Sequence, residues 1–256
     1  MKVTLITVTL NSEKFLEDSI RSVMEQDHDD IEHIIIDGMS TDGTIAIIEK
    51  YSSHICKWVS EKDNSMYDAI NKGMKMATGD IIGTLNSDDI LASPDVISSI
   101  AAVFEKENVD VVYGDLLYVD QLNPDKVIRK WKGGKFNINK FRFGWMPAHP
   151  TFYFKTSLLE KCGYYETHFF SAADYEFMTR YLFYFKANAV YIPKLVVKMR
   201  MGGLSNSNIL RRLRANRRDY LAMKKNKVPF AIVVAFLKPV IKLHQYTNVG
   251  IMRFFS

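Results

Sequence analysis

A chain of 256 residues with 47% hydrophobic and 25% charged residues has the material for one large packed domain, or a domain with an extension. Cys56 and Cys162 are far apart and in no metal-binding spacing, which argues against a disulfide framework and fits a reducing compartment. The net charge of +5 is uneven, with Asp and Glu gathered before Asp120 and most Lys and Arg after Lys126, so a basic C-terminal surface facing phosphates or anionic lipid is expected.

Val3 to Leu10 reads as a first strand rather than a signal peptide, because Asn11-Ser12-Glu13-Lys14 follows at once with no small-residue cleavage site. Phe15, Leu16, Ile20, Val23 and Met24 then recur at helical spacing. Ile31 to Ile36 is a second strand closed by Asp37-Gly38, and Thr41 and Asp42 offer caps to a helix holding Ile45, Ile47 and Ile48. Lys57 to Ser60 is a short third strand, Met66 to Ala77 a helix, and Ile81 to Leu85 a fourth strand. Pro94 opens a helix through Phe104. Strands alternating with helices predict an α/β fold with a mostly parallel, doubly wound sheet.

After Val109 the pattern changes. Val111 to Gly114 and Leu116 to Val119 read as two strands, and Lys126 to Trp131 as the return of a hairpin over Asn123-Pro124-Asp125. Thr151 to Phe154 is a short strand, Ser157 to Lys161 a short helix, Asp174 to Phe185 an aromatic-rich helix, and Val190 to Met199 a strand. Asn206 to Lys225 is a strongly basic helix, and Pro229 to Leu243 is apolar. No apolar run reaches the roughly 18 residues that a membrane-spanning helix needs.

The chemistry gathers at strand ends. Asn86-Ser87-Asp88-Asp89 follows an apolar strand, and two adjacent carboxylates there cost free energy unless a cation or hydrogen-bond donors compensate them. Mg2+ or Mn2+ prefers such oxygen ligands and bridges to phosphates. The same residue types also build ordinary turns. Thr7, Thr9 and Asn11 close the first strand, Asp37 the second, and Glu61, Lys62 and Asp63 the third, so all four sets are expected at one crevice beyond the carboxyl ends. Asp37 suits a base N–H or ribose hydroxyls, and equally a turn before Gly38. No glycine-rich phosphate loop follows the first strand, which disfavours a nucleotidyltransferase or a dinucleotide dehydrogenase.

Six strings resemble one family in residue type, order and spacing: Ile6-Thr7-Val8-Thr9-Leu10-Asn11, Ile36-Asp37-Gly38-Met39-Ser40-Thr41-Asp42-Gly43-Thr44, Ser60-Glu61-Lys62-Asp63, Tyr67-Asp68-Ala69-Ile70-Asn71-Lys72-Gly73, Ala77-Thr78-Gly79-Asp80 and Leu85-Asn86-Ser87-Asp88-Asp89. The sequence looks like the family 2 glycosyltransferases, inverting GT-A enzymes that use nucleotide-sugar donors. The resemblance covers roughly residues 2–205 and implies a catalytic domain over 1–205, with a nucleotide-sugar-binding half (1–115) and an acceptor half (116–205), and a helical extension over 206–256. It implies Asp37 at the nucleotide base, with Thr9, Asn11, Asp63, Asn71 and Asp88 as further donor contacts. Asn86 stands where many relatives have the first Asp, which leaves Asp88 and Asp89 to share ribose and metal contacts, with Asp89 favoured as the ligand.

Ser171-Ala172-Ala173-Asp174-Tyr175-Glu176 resembles the family's catalytic-base motif, with Asp174 as the base for the acceptor hydroxyl. An N-cap of the following helix is a compatible role for the same residue. Glu176 is a first-turn dipole partner or a second carboxylate of the site. Trp145-Met146-Pro147-Ala148-His149-Pro150-Thr151 resembles an acceptor-facing loop, with His149 as a contact and Trp145 either stacking on a sugar or packed in the core. Gly202-Gly203-Leu204-Ser205 resembles a loop that closes over the donor. The implied activity is transfer of a sugar from a nucleoside-diphosphate sugar to a hydroxyl of a glycan or lipid-linked acceptor, in cell-surface polysaccharide synthesis, with Mg2+ or Mn2+ as cofactor. A non-catalytic nucleotide-sugar-binding protein is the alternative. The basic run from Arg211 to Lys227 lacks a nucleic-acid module, so no nucleic-acid partner is expected. The C-terminal helices suit either the inner face of the cytoplasmic membrane or packing on their own domain or a partner subunit, and a cytoplasmic location is expected.

Overall fold

The computed structural model describes residues 1–202 and 209–231, without the side chains of 209–214. β1 (Val3–Thr9) pairs in parallel with β2 (Ile31–Asp37) on one side and β4 (Ile81–Thr84) on the other, and β2 pairs in parallel with β3 (Lys57–Ser60). All seven β1 residues are buried, as expected of a parallel strand covered on both faces. The register sets Thr9 against Asp37 and Asp37 against Ser60, so the chemistry-bearing strand ends are level.

The sheet continues past β4 through β8 (Tyr153–Lys155), β6 (Val111–Val119), β9 (Ala189–Arg200) and β5 (Ile90–Leu91), while β7 (Val127–Trp131) folds back on β6. β8 runs antiparallel to both β4 and β6, and β9 runs parallel to β6. Residues 111–119 form one strand rather than two, with its register against β9 shifting around Asp115. A Cβ at Gly114 would lie 2.7 Å from the Lys194 carbonyl oxygen, so only glycine lets the two strands close there. Ile90-Leu91 pairs with β9, a contact that two residues are too few to announce by periodicity.

The helices α1 (Leu16–Met24), α2 (Thr44–Lys50), α3 (Met66–Met76) and α4 (Val96–Lys106) follow the apolar spacing of the sequence. α3 lies so close to β1 that a Cβ at Gly73 would sit 2.5 Å from Ile6 Cγ2. After α5 (Leu158–Cys162), α6 (Ala173–Thr179) loosens into a π turn over Arg180–Tyr184, so the aromatic helix expected to Phe185 is regular only to Thr179. Tyr165 stacks on Phe177 at 4.1 Å, and Phe177 on Tyr181 at 4.1 Å.

The basic helix α7 (Ile209–Lys225) packs on α6. Ala222 and Met223 are fully buried, and Lys225 and Asn226 reach the buried Glu176 carboxylate at 3.1 and 3.2 Å. Over its described side chains this helix therefore docks on its own domain. Most of the apolar segment Pro229 to Leu243 lies outside the described residues, as do Gly203, Leu204 and Ser205 of the glycine loop. No helix among the described residues is long and apolar enough to cross a membrane.

Candidate active site

The ends of β1, β2 and β3 are bound into one polar edge. Asp37 is fully buried, and its carboxylate accepts from the Ser40 N–H at 2.9 Å, from the Ser40 hydroxyl, and from the Ser60 hydroxyl at 2.6 Å. Asn11 takes a left-handed conformation (φ 50°) that asparagine tolerates better than most residues. From there its N–H donates to Ser40 Oγ and its Oδ1 accepts the Thr41 N–H at 2.8 Å. Asp37 and Asn11 thus shape the loop after β2 before any ligand arrives. Thr9 is buried with its hydroxyl unpartnered. Asp63 is held by the Lys72 ammonium at 2.6 Å, and the same ammonium lies 2.7 Å from Glu61.

The loop after β4 joins this edge through a hydroxyl pair, Ser12 Oγ to Ser87 Oγ at 2.8 Å. Asp89 is fully buried. One of its carboxylate oxygens accepts from Asn86 Nδ2 at 2.9 Å, and Oδ1 has no partner. Burial, and then the neighbouring Asp88 carboxylate, push the Asp89 carboxyl well above the usual range. Asp88 is half-buried and is raised in the same direction by burial.

Arg200, at the end of β9, was not anticipated from sequence. It donates to the Asp88 carbonyl at 3.1 Å and to the Asp18 carboxylate at 2.5 Å, with its guanidinium 5.0 Å over the Phe15 ring. In the sequence it is only the residue that follows the strand expected over Val190 to Met199.

Among the described residues no three acidic, His or Cys side chains gather as a metal cage. The loop nevertheless fits a hard divalent cation. It offers oxygen donors only, it keeps a buried carboxylate oxygen unpartnered, and the Asn86 amide and Arg200 offset the cost of burying its adjacent carboxylates only in part. A cation held by one or two carboxylates takes its other ligands from water and phosphate oxygens.

The third set lies on α6. Asp174 is the second residue of that helix, and Ala172 holds the N-cap position without a side-chain bond, so the expected capping role is displaced by two residues. The carboxylate instead accepts the Tyr175 N–H at 2.7 Å and sits in the first turn, where the helix dipole favours an anion. His149, in the 3-10 turn His149–Thr151, places Nδ1 3.7 Å from Asp174 Oδ2. Burial lowers the His149 pKa and Asp174 opposes that shift, so the imidazole is neutral at pH 7. Tyr67 of α3 also faces Asp174. Burial first, and the Asp174 carboxylate next, raise its hydroxyl well above the ordinary phenol range.

Three further residues singled out from the sequence make contacts within the fold. Trp145 is half-buried, packed against Phe141 at 5.6 Å and Tyr113 at 6.0 Å, with Lys140 5.0 Å over its ring. Glu176 is fully buried and paired with Arg180 at 2.9 Å and with Lys225, which removes it as a second carboxylate of the site. Asn71 commits its carboxamide to the Tyr165 main chain, donating from Nδ2 to the carbonyl at 2.8 Å and accepting the N–H at 2.9 Å. A cavity of about 620 Å3 beside Cys162, Arg180 and Lys225 touches none of the strand-end carboxylates.

Similarity to known proteins gives the family and the fold. The description "Glycosyl transferase family 2" matches residues 4–170. An uncharacterized glycosyltransferase of Mycobacterium tuberculosis is 34% identical over 183 residues, covering 70% of this chain and 68% of its own. A PGL/p-HBAD biosynthesis glycosyltransferase of Mycobacterium bovis is 28% identical over 209 residues, covering 80% and 79%. Among solved structures, S. aureus TarS 1-349 in complex with UDP-GlcNAc superposes with a TM-score of 0.67 at 20% identity, over 97% of this chain and 79% of that one. Mannosyltransferase PcManGT from Pyrobaculum calidifontis, in complex with GDP-Man and Mn2+, gives 0.66 at 19% identity, over 92% and 69%. This chain spans only 39% of the longer TarS chain. The structural likenesses carry the fold, and the family assignment rests on the sequence matches. The chain belongs to glycosyl transferase family 2 and is a glycosyltransferase with the GT-A fold.

Proposed function

We propose that the protein is an inverting, metal-dependent glycosyltransferase that moves a sugar from a nucleoside-diphosphate sugar to a hydroxyl of a glycan or lipid-linked acceptor in cell-surface polysaccharide synthesis. The observation that carries this reading is the Asp174 carboxylate, set in a helix first turn beside a neutral imidazole and facing Tyr67 in the first turn of α3, just after the Asp63 loop. Support for the donor comes from neighbours solved with UDP, UDP-GlcNAc and GDP-Man. A relative named for PGL/p-HBAD biosynthesis supports a glycan or glycolipid acceptor.

In this reading residues 1–115 hold the donor, 116–205 the acceptor, and 206–256 form the extension. Thr9, Asn11, Asp37 and Asp63 receive the nucleoside, and Asp88 and Asp89 hold Mg2+ or Mn2+. When bound, that cation neutralises charge on the diphosphate leaving group. Asp174 accepts the proton of the acceptor hydroxyl as its oxygen forms the new bond to the anomeric carbon. The bond from that carbon to the diphosphate oxygen breaks on the opposite face, which inverts the centre. His149, uncharged, orients the acceptor hydroxyl without competing for the proton. Arg217 and Lys224, exposed on α7, face anionic lipid at the cytoplasmic surface of the membrane.

Thermal-shift titration with UDP, GDP, dTDP and CMP, with and without Mn2+, tests the donor, because a ligand of the folded state raises its melting temperature. One nucleotide should stabilise the protein in a Mn2+-dependent way. Asp174→Asn should then keep that response and lose transfer. Full transfer by Asp174→Asn overturns the assignment of the base.

A further inference from the structure

α3 begins where the donor edge ends. Asp63 closes that edge, and Ser65 caps the helix by accepting the Asp68 N–H at 3.2 Å. Tyr67 and Asn71 are four residues apart and therefore share one helix face. That face looks across to the half of the molecule that carries Asp174. Asn71 makes a reciprocal pair of hydrogen bonds with the Tyr165 main chain, at 2.8 and 2.9 Å, across 94 residues of sequence. The Tyr67 ring lies 5.2 Å from the Tyr165 ring. Tyr165 in turn stacks nearly flat on Phe177, at 4.1 Å and 13°. Phe177 lies three residues after Asp174 on α6, so these two also share a face.

The other side of α3 cannot yield. Gly73 is pressed on Ile6 of β1, with no room for a Cβ. A rigid path thus runs from the buried parallel strands, through Tyr67 and Asn71, to the helix that holds the carboxylate. The Asn71 carboxamide has its oxygen and one N–H committed to this path, which leaves little with which to bind a ligand.

We infer that Tyr67 and Asn71 are positioning residues, which fix the helix bearing Asp174 in register with the donor edge, rather than groups that bind the nucleotide sugar. The inference rests on the reading of Asp174 as the base. In-line transfer needs the carboxylate within hydrogen-bond reach of the acceptor oxygen while the anomeric carbon is held from the other side. Displacement by about 1 Å costs about a hundredfold in rate.

The test uses the full chain with Asn71→Ala and Tyr67→Phe, the second of which keeps the ring against Tyr165 and removes only the hydroxyl. Both are assayed well below their melting temperatures. We expect kcat to fall about 10- to 100-fold in Asn71→Ala and less in Tyr67→Phe, with nucleotide affinity by Mn2+-dependent thermal shift unchanged within about twofold. Loss of nucleotide affinity by more than about fivefold in Asn71→Ala would make Asn71 a donor contact and overturn the inference. Unchanged kcat in both variants overturns it as well. Amide exchange over residues 173–179 gives a readout independent of the reaction. Faster exchange there in Asn71→Ala, without faster exchange in β1, supports the coupling. Unaltered exchange sinks it, whatever the wild type transfers. Absence of nucleotide binding in the wild type, with the exchange effect present, would instead overturn the proposed function and leave this coupling standing.

Discussion

His149 and Asp174 come from segments 25 residues apart in sequence and meet at 3.7 Å, ring nitrogen to carboxylate. The 3-10 turn that carries His149 is braced on β6, where the Thr151 hydroxyl oxygen accepts the Gly114 N–H at 3.4 Å, and its one proton is shared between the Ala148 carbonyl at 2.8 Å and the Gly114 carbonyl at 3.2 Å. Ala148 and Leu85 belong to the same buried cluster, so this turn is anchored beside the strand that delivers Asp88 and Asp89.

His149→Ala should reduce transfer more than it reduces donor binding. A drop of about 10- to 100-fold in kcat is the expected size for losing an orienting contact. Steady-state kinetics with the donor varied would show it, and a rise in donor KM at constant kcat would contradict it.

Asp89→Asn should separate stability from activity. The Asp89 carboxyl is raised by burial and by Asp88, so its stabilising contribution is present in acid and lost as the pH rises and the group ionises. Removing the charge relieves that cost at pH 7. The metal-free variant should therefore melt no lower than wild type, while Mn2+ with nucleotide should no longer raise its melting temperature. A strongly lowered melting temperature without metal would show that the charge is already compensated.

His33 makes stability depend on pH. It is buried in β2 with Nε2 3.0 Å from the Thr7 hydroxyl, and burial lowers its pKa to about 4. The unfolded chain binds a proton near pH 6.5 that the folded chain refuses until near pH 4, so stability falls as pH drops through that window. The loss between pH 7 and pH 5 should be about 2 kcal/mol from this residue. Urea unfolding at the two pH values measures it, and His33→Gln should flatten the difference.

Glu176→Ala should be among the most damaging single changes. It leaves Arg180, itself nearly buried, and Lys225 without their shared carboxylate. Breaking a buried pair by removing one partner costs about 3–5 kcal/mol. Chemical denaturation should show that loss, together with release of α7. A change below about 1 kcal/mol would mean that the pair is solvated like a surface bridge.

Legibility followed the kind of signal each residue carries. The buried strands Val3–Thr9 and Ile31–Asp37 announce themselves as apolar β-branched runs, and the structure keeps those bounds to within a residue. The α3 and α4 faces follow from helical spacing. Asp88 and Asp89 stand out because adjacent carboxylates at a strand end are costly, and Asp174 stands out through the resemblance of residues 171–176 to the family's catalytic-base motif. What sequence could not supply was the partner. Asn71, Glu176 and Trp145 have the right chemistry for a site, but their contacts with Tyr165, Arg180 and Phe141 are made across the fold. Arg200 had the opposite problem. Its neighbours in sequence are strand residues, and only β9 pairing beside β5 brings its guanidinium to the Asp88 carbonyl.

The antiparallel strand β8 has a mechanical consequence. It is hydrogen-bonded to β4 on one side and β6 on the other, so a single ladder runs unbroken from β3 to β5. Opening the two halves like a clamshell would tear backbone bonds out of a dry interior. Movement around the strand-end carboxylates is therefore left to the connections that rise from the sheet, which can differ in length and sequence without the ladder being rebuilt.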